Sequence, residues 1–252
     1  MKITLVRNAT LIIEFAGTRF LVDPFLAEQG AYPPFPNSLR QDQNNPLVGL
    51  PLPLEQIIDV DAVILTHLHL DHYDEAAIKA LPKDIKLFVQ NDADAVEVGK
   101  AGFHNLEVLS KDTFLGDIRI SKTHGEHGRG DILKFTGSVC GVVLQHSTEK
   151  TLYVAGDTVW NPYVQEAIDT YAPEIIVVNG GDNQFLQGGS LVMGKEDIHE
   201  VHEAAPDATI ISVHMEAVNH WTLSRAELRA FAADHDIAAK LLVPDDGEAY
   251  SF

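Results

Sequence analysis

The sequence predicts one compact domain, residues 1–252, of the α/β class. The chain has 252 residues, 45% of them hydrophobic, which is enough for a full core and near the upper length of a single domain. The first 22 residues show the short apolar runs of an antiparallel meander. From residue 61 onward, continuous apolar runs typical of buried strands are followed by stretches of helical character.

The meander is predicted to contain three strands, separated by the turn residues Asn8 and Gly17. The strands are Ile3–Val6, Leu11–Phe15 and Arg19–Val22.

A proline-rich loop follows at about residues 30–54. Its six prolines do not fit a regular helix or a central strand. A loop of this length in a compact domain is usually a functional lid or an insertion. The aromatic residues Tyr32 and Phe35 favour a lid over a pocket, and a surface excursion packed by its own side chains is the alternative.

The remainder of the chain is predicted to alternate strands and helices, with no domain boundary. The predicted strands are Asp61–Thr66, Ile85–Val89, Asp117–Ser121, Val139–Leu144, Thr151–Ala155, Glu174–Val178, Thr209–Val213 and Lys240–Val243. The predicted helices are Asp74–Ala80, Ala93–Lys100, Pro162–Thr170, Glu196–Ala204 and Ser224–Asp234.

The excess of acidic residues bears on which macromolecules the protein can bind. There are 37 acidic and 18 basic residues, a formal net charge of −19, and such a field repels polyphosphate backbones, so we expect no nucleic-acid partner. No stretch approaches the roughly 20 apolar residues of a membrane span, and the first residues lack the apolar run of a signal peptide. We therefore expect a cytoplasmic protein with no membrane partner. A homo-oligomer remains open.

A cluster of metal-binding residue types follows the strand predicted at Asp61–Thr66. His67, His69, Asp71 and His72 fall within six positions, and a strand-to-loop turn can point them in one direction. They offer two nitrogens for one ion and a carboxylate with a nitrogen for another. A purely structural role would require all these groups to find partners by chance, because buried polar groups need them.

The H-x-H-x-D-H string of residues 67–72 resembles the signature of the metallo-β-lactamase superfamily. Asn8–Thr10 with Leu21–Pro24 resembles the opening hairpin of its ascorbate-phosphate lactonase-like branch, Gly156–Thr158 its bridging-aspartate motif, and Val213–Met215 its late histidine motif. The resemblance covers nearly the whole chain. It implies a four-layer αββα sandwich, in which two mixed sheets pack face to face with helices outside and metals lie at one edge.

Carried over residue by residue, the resemblance implies a two-metal site. His67, His69 and a third histidine would hold the first metal. Asp71, His72 and His214 would hold the second, with Asp157 between the two. An anionic oxygen between two dications offsets their repulsion. Asp71, Asp157 and His214 are the residues expected to serve catalysis as well as metal binding.

The third histidine has two candidates, His124 and His127. The family branch places its ligand at the later position after the preceding strand, which favours His127 and makes His124 a neighbour or an outer hydrogen-bond donor. The local sequence lacks the more common Thr-Pro-Gly-His form. The single cysteine, Cys140, excludes a thiolate cluster, so the ligands must be nitrogen and oxygen.

The ligand set predicts two divalent ions, with Zn2+ as first choice and Mn2+ or Fe2+ as alternatives. Ions ~3.5–4 Å apart would turn a water between them into a hydroxide nucleophile near neutral pH. The resemblance therefore implies a hydrolase that cleaves a lactone, amide or phosphodiester bond of a small-molecule substrate. Alternatives on the same fold are a phosphodiesterase or nuclease, disfavoured by the acidic charge, an iron-dependent redox enzyme, and a non-catalytic metal-binding protein.

Several residues near the motifs are candidates for outer contacts. Asp182 and Asn183 follow a glycine-rich strand exit, where Asp182 either orients a metal-bound histidine or caps a turn. Asn219 and His220 lie just beyond the late histidine and could hydrogen-bond the substrate or stabilise an oxyanion. Two cations, Arg129 and Lys195, could meet an anionic substrate group, although an exposed charge is the default for both. These candidates, together with His124, complete the predicted site.

Overall fold

The computed structural model describes all 252 residues, which form fourteen strands. The strands are β1 (Lys2–Arg7), β2 (Thr10–Phe15), β3 (Thr18–Val22), β4 (Ala62–Ile64), β5 (Lys86–Val89), β6 (Leu106–Val108), β7 (Thr113–Leu115), β8 (Ile118–His124), β9 (Cys140–Gln145), β10 (Leu152–Val154), β11 (Ile175–Asn179), β12 (Thr209–Val213), β13 (Leu241–Leu242) and β14 (Ala249–Ser251).

The strands form two mixed sheets of seven. The first has the order β14-β1-β2-β3-β4-β5-β6, and the second has the order β13-β12-β11-β10-β9-β8-β7. Strands β1 to β3 pair antiparallel, as expected of the opening meander, and β3 to β6 pair parallel. Strands β10 to β13 are also parallel. Each sheet therefore presents several carboxyl strand ends at one edge.

The helices cover the outer faces of both sheets. They are α1 (Leu54–Ile57), α2 (Glu75–Ala80), α3 (Asp92–Lys100), α4 (Leu133–Thr136), α5 (Pro162–Tyr171), α6 (Lys195–Ala204) and α7 (Arg225–Asp234), with a 3-10 turn at Gly130–Ile132. No helix is both long and apolar enough to cross a membrane.

Three apolar clusters separate the layers. Ile13 and Val177 belong to the cluster shared by the two sheets, whereas their strand neighbours point the other way. Ile12 packs with residues of α2 and α3, and Ile176 packs with residues of α5, α6 and α7. Because both faces of these strands are buried, their sequences are continuous apolar runs. The αββα sandwich implied by the resemblance is confirmed.

The structure adds elements that the pattern did not predict. Strands β6, β7 and β14 have three residues each, and helices α1 and α4 have four. Strand β8 runs three residues further than predicted, so that His124 ends it. Residues 30–53 contain no regular helix or strand and are joined to other segments by isolated bridges such as Ser38 with Phe185.

Arg7 ties the first sheet to the segments that follow it. The side chain is fully buried, and its guanidinium donates to the carbonyl oxygens of Phe25, Ala27 and Val48 at 2.6, 3.0 and 2.9 Å. Burial lowers the pKa of Arg7 to about 10, which leaves it charged at neutral pH. A buried charge is tolerated only when hydrogen bonds replace its water. Arg7 therefore holds the segment before the proline-rich loop, and Val48 within that loop, against β1.

We expect Arg7→Met to lower the free energy of unfolding by about 2–5 kcal/mol, because methionine leaves three buried carbonyls unpaired. Thermal and denaturant unfolding would measure the change. Arg119→Met is the matched control, since Arg119 pairs with Asp112 at the surface. Equal melting temperatures for the two variants would contradict the structural role of Arg7.

Candidate metal centre

The carboxyl ends of strands from both sheets meet at one edge of the sandwich. The loop after β4 carries His67 to His72, while Asp157 follows β10 and His214 follows β12. The loop after β8 adds His127. The structure thus brings together all seven residues predicted as ligands, which are His67, His69, Asp71, His72, His127, Asp157 and His214.

The seven side chains form two groups. Ligand atoms of His67, His69, His127 and Asp157 lie within 4.8 Å of one another, and so do those of Asp71, His72 and His214. All are buried except His69, which is partly exposed. The first group contains the residues that the resemblance assigns to the first metal together with Asp157, and the second contains those that it assigns to the second.

Asp157 contacts both groups. Its Oδ2 lies 3.8 Å from Nε2 of His67 and 3.5 Å from Nε2 of His127, in the first group. The same oxygen lies 3.2 Å from Nε2 of His72, and Oδ1 lies 3.7 Å from Nε2 of His214, in the second group. Asn179, at the end of β11, donates to Oδ1 of Asp157 at 2.5 Å. This carboxylate therefore has the position that a bridging ligand requires.

Hydrogen bonds orient the ring nitrogens of three histidines. Nδ1 of His72 lies 2.8 Å from Oδ2 of Asp23, and Nδ1 of His127 lies 2.9 Å from the carbonyl oxygen of Leu191. Nδ1 of His67 lies 3.1 Å from Oγ1 of Thr66, which donates its own proton to Asp23. These bonds assign the ring protons to Nδ1 and leave the Nε2 lone pairs facing the cluster.

The electrostatics favour a cation between these groups. Burial lowers the pKa of His67 well below its usual value, and the neighbouring His72 lowers it further. Burial also opposes charge on His72, but the carboxylates of Asp157, Asp23 and Asp71 outweigh it and raise its pKa well above the usual range. The three carboxylates around His72 thus favour a positive charge at this position.

The donor set fits metal ions. Nε2 of His67 is buried without a hydrogen-bond partner, and the Nε2 atoms of His72 and His214 face each other at 3.2 Å. Lone pairs and carboxylate oxygens directed at one another are unfavourable without a positive charge between them. Imidazole nitrogens with carboxylate oxygens are ligands that Zn2+, Mn2+ and Fe2+ accept.

Backbone geometry explains two features of the motifs. Gly156 has φ +71°, and a Cβ there would lie 2.5 Å from the carbonyl oxygen of Cys140, so only glycine fits before Asp157. His214 has φ +60°, in the left-handed region that non-glycine residues rarely adopt. Its backbone N–H donates to the carbonyl oxygen of Asn8 at 2.8 Å, which holds it in place. Strained residues of this kind concentrate at functional sites.

Three contributors were missed by the sequence analysis. Asp23 orients His72, and Asn179 donates to Asp157 as described above. The amide of Asn8 lies 3.4 Å from both Oδ2 of Asp71 and Nε2 of His214. A sequence pattern that could have pointed to Asp23 and Asn179 was present, since both residues stand where predicted strands end. A strand-end position alone does not identify the partner.

Two predicted outer residues lie away from the cluster. His124 is exposed at the end of β8, with its ring 5.6 Å from that of Tyr163. The carboxylate of Asp182 accepts from Gln184 and Thr222 at 2.9 Å each, so it caps a turn and orients no histidine of the cluster. The expected outer contact of His124 is therefore wrong, because its ring lies at the surface, whereas Asp182 follows the turn-capping alternative.

Asn219 anchors the proline-rich loop. Its Oδ1 accepts from the backbone N–H of Phe35 at 2.8 Å and from Asn45 at 3.0 Å. Its Nδ2 donates to Ser38 at 2.8 Å and to the carbonyl oxygen of Leu39 at 2.7 Å. The amide is therefore fully occupied by the loop, and the expected bond to substrate is not available.

A cavity of about 220 Å³ opens beside the cluster. It is lined by Phe35, His69, Leu70, Asp71, His127, Phe135, Thr136, Asp157, Phe185, Leu191 and His220. The proline-rich loop thus contributes Phe35 to the wall, whereas Tyr32 stacks on Phe25 at 6.2 Å. Asn183 stands behind the wall and contacts His220.

Comparison with known proteins agrees with this geometry. Residues 18–215 match the family described as beta-lactamase superfamily domain. The chain is 59% identical to UPF0173 protein YddR of Bacillus subtilis (strain 168), with all of both chains covered.

Two solved structures are similar over their whole length. An isothiocyanate hydrolase from Delia radicum gut bacteria has a TM-score of 0.96 at 44% identity, covering 100% of this chain and 99% of that chain. A possible metal-dependent hydrolase from Veillonella parvula DSM 2008 has a TM-score of 0.97 at 36% identity, with the same coverage of both chains.

We expect Asp23→Asn to weaken metal affinity about 10- to 100-fold, because the amide removes the charge that orients and polarises His72. Competition with a chelating dye would measure the change. Asp59→Asn is the control, since that side chain is 87% exposed. Unchanged affinity in the Asp23 variant would show that His72 needs no orienting partner.

Proposed function

The chain belongs to the beta-lactamase superfamily and is a metal-dependent hydrolase. On that premise, we propose that it hydrolyses small, uncharged, apolar electrophiles. Isothiocyanates are the first candidates. The observation that carries the proposal is the wall of the cavity beside the cluster. Five of its eleven residues are hydrophobic, and three of those are phenylalanines.

The cavity wall contains no lysine or arginine. The two cations considered as substrate contacts are engaged elsewhere. Arg129 pairs with Asp197 at 2.7 Å, and Lys195 lies 3.9 Å from Glu196. A phosphodiester or another anionic substrate would have no side-chain counter-ion, which is the usual means of recognising phosphate. Among the bonds considered from sequence, those of neutral molecules are therefore favoured.

The similarity to an isothiocyanate hydrolase supports this substrate class. That protein is 44% identical over the full length of this chain. An isothiocyanate, R–N=C=S, is neutral and compact at its reactive carbon, and its organic group suits an aromatic wall. Hydrolysis adds water to the central carbon. The bond between that carbon and nitrogen then breaks, which gives the amine R–NH2 and carbonyl sulfide, O=C=S. The oxygen of water ends in carbonyl sulfide, and both protons of water end on nitrogen.

We further propose that the two groups of ligands hold two divalent ions, with zinc as first choice. Such ions would supply Lewis-acid activation of the electrophile and lower the pKa of a water. The chain itself positions the reactants. Asp157 contacts both groups, and Asp71 stands in the cavity wall, where it can accept a hydrogen bond from the attacking water. Phe35 and Phe185 line the cavity and would limit access of other water to the reacting carbon.

Treatment with a chelator should abolish hydrolysis of benzyl isothiocyanate, and Zn2+ or Mn2+ should restore it. His67→Ala should lower kcat/KM by more than the roughly 10- to 100-fold expected for losing an outer partner, because it removes a ligand. Release of benzylamine would report turnover. His104→Ala is the control, since His104 is exposed. Full activity of the His67 variant, or activity that survives the chelator, would refute metal dependence at this site.

Phe135 should contribute to substrate selection, because it lines the cavity although it is 82% exposed. We expect Phe135→Ala to raise KM about 5- to 10-fold for benzyl isothiocyanate, which corresponds to loss of an aromatic contact of about 1–1.5 kcal/mol. KM for methyl isothiocyanate should hardly change. Phe114→Ala removes a phenylalanine that is 53% exposed on β7 and is the control. Equal effects on both substrates would exclude a role in selection.

A further inference from the structure

His220 differs from every other titratable residue of the cavity wall. The others, His69, Asp71, His127 and Asp157, belong to the candidate metal centre. His220 follows the late histidine motif by a few residues and belongs to neither ligand group. It is therefore the one imidazole of the wall that remains available to a substrate.

Packing holds the His220 ring in a fixed orientation. The ring of Phe35 meets it edge-on at 4.8 Å, and the ring of Phe185 stacks on it at 6.2 Å. Nε2 of His220 lies 3.3 Å from Nδ2 of Asn183. Asn183 is itself buried, and its backbone carbonyl oxygen accepts from the backbone N–H of Leu191 at 2.8 Å, which fixes the position of the residue beside the ring. The imidazole is thus positioned before any substrate arrives.

One nitrogen of this ring has no partner. Nδ1 of His220 is buried and makes no hydrogen bond to the protein. Burial lowers the pKa of His220 to about 4, so the ring is neutral at pH 7. A neutral ring whose Nε2 accepts from the Asn183 amide carries its proton on Nδ1. The site therefore holds an oriented N–H donor without an acceptor, and such groups are rare in folded proteins.

We propose that His220 is a catalytic residue whose Nδ1–H donates a hydrogen bond to the substrate heteroatom that gains negative charge when water adds. This inference rests on the proposed hydrolysis of isothiocyanates. The oxygen of water bonds to the central carbon, one π pair of the N=C=S group moves to nitrogen or sulfur, and that atom accepts from Nδ1. The N–H bond of His220 stays intact, and the protons that reach nitrogen come from the water.

The neighbouring Asn219 does not share this role. Its side-chain oxygen and nitrogen both bind the proline-rich loop, whereas Nδ1 of His220 is uncommitted. Thr136 is the other uncharged polar residue of the wall, and its hydroxyl donates to the carbonyl oxygen of Ile132 at 3.4 Å. Among these polar residues, His220 alone offers an oriented donor without a partner.

The kinetic test compares His220→Phe, which keeps an aromatic ring without a donor, with His220→Gln, which keeps an N–H donor. We expect the phenylalanine variant to lose about 100- to 1000-fold in kcat, as for removal of an oxyanion donor, with metal content unchanged. The glutamine variant should stay within about 10-fold of wild type. If the phenylalanine variant does not fold, His220→Ala with and without imidazole makes the same comparison, and imidazole should restore part of kcat.

A binding test separates this inference from the proposed function. Benzylthiourea is a stable, neutral molecule whose sulfur accepts a hydrogen bond, and calorimetry would measure its affinity without turnover. We expect binding about 10-fold weaker in His220→Phe and nearly unchanged in His220→Gln. Failure of wild type to hydrolyse isothiocyanates overturns the proposed function and leaves the binding test to decide on His220. Equal affinity in wild type and the phenylalanine variant, or no binding by wild type, overturns the role of His220.

Discussion

The buried carboxylate of Asp157 is the group on which the rest of the site depends. It is 3% exposed, and one oxygen lies within 3.8 Å of ring nitrogens of His67, His72 and His127. Burial alone would raise its pKa, but the surrounding histidines outweigh burial and hold the pKa well below the usual value. A buried carboxylate persists only beside positive charge. Cation binding and the stability of this edge of the sandwich are therefore linked.

The two sheets hold opposite sides of this arrangement. Asn8, in the turn between β1 and β2, contacts both Asp71 and His214, and its carbonyl oxygen accepts from the backbone of His214. The first turn of the chain thus meets the end of β12, which belongs to the other sheet. Loss of packing between the sheets would separate the ligand groups. The sandwich core, though remote from the chemistry, sets the precision of the site.

Local sequence patterns mark the residues that we propose as ligands. His67 to His72 form a dense run after an apolar strand, and Asp157 and His214 each follow a strand within a short motif. Asp23 and Asn179 also follow strands, but a lone polar residue there has the same pattern as an ordinary turn residue. Their roles depend on strand order, because β3 lies beside β4 and β11 beside β10. That order is a long-range property which periodicity does not contain.

The limits of the fold prediction have a similar cause. The resemblance implied the four layers correctly, yet the three-residue strands β6, β7 and β14 were missed. Strands β4 and β10 are equally short, but they are fully buried and lie inside longer apolar runs. Strands β6, β7 and β14 lie at or near the outer edges of the sheets, where pairing with one neighbour decides their conformation. The fully buried strands inside the sheets were found because both of their faces are apolar.

The distribution of charge bears on the choice of substrate. The chain carries a net charge of −19, and the cavity wall has no cationic side chain. Positive charge at the site must then come from a cation held by the two ligand groups. The carboxylates of Asp71 and Asp157 lie in those groups and would partly neutralise it. An anion would compete with these carboxylates, whereas a neutral electrophile adds no charge until water attacks. In the proposed reaction, negative charge develops beside the wall that contains His220, so a neutral substrate and a neutral hydrogen-bond donor would be complementary features of one site.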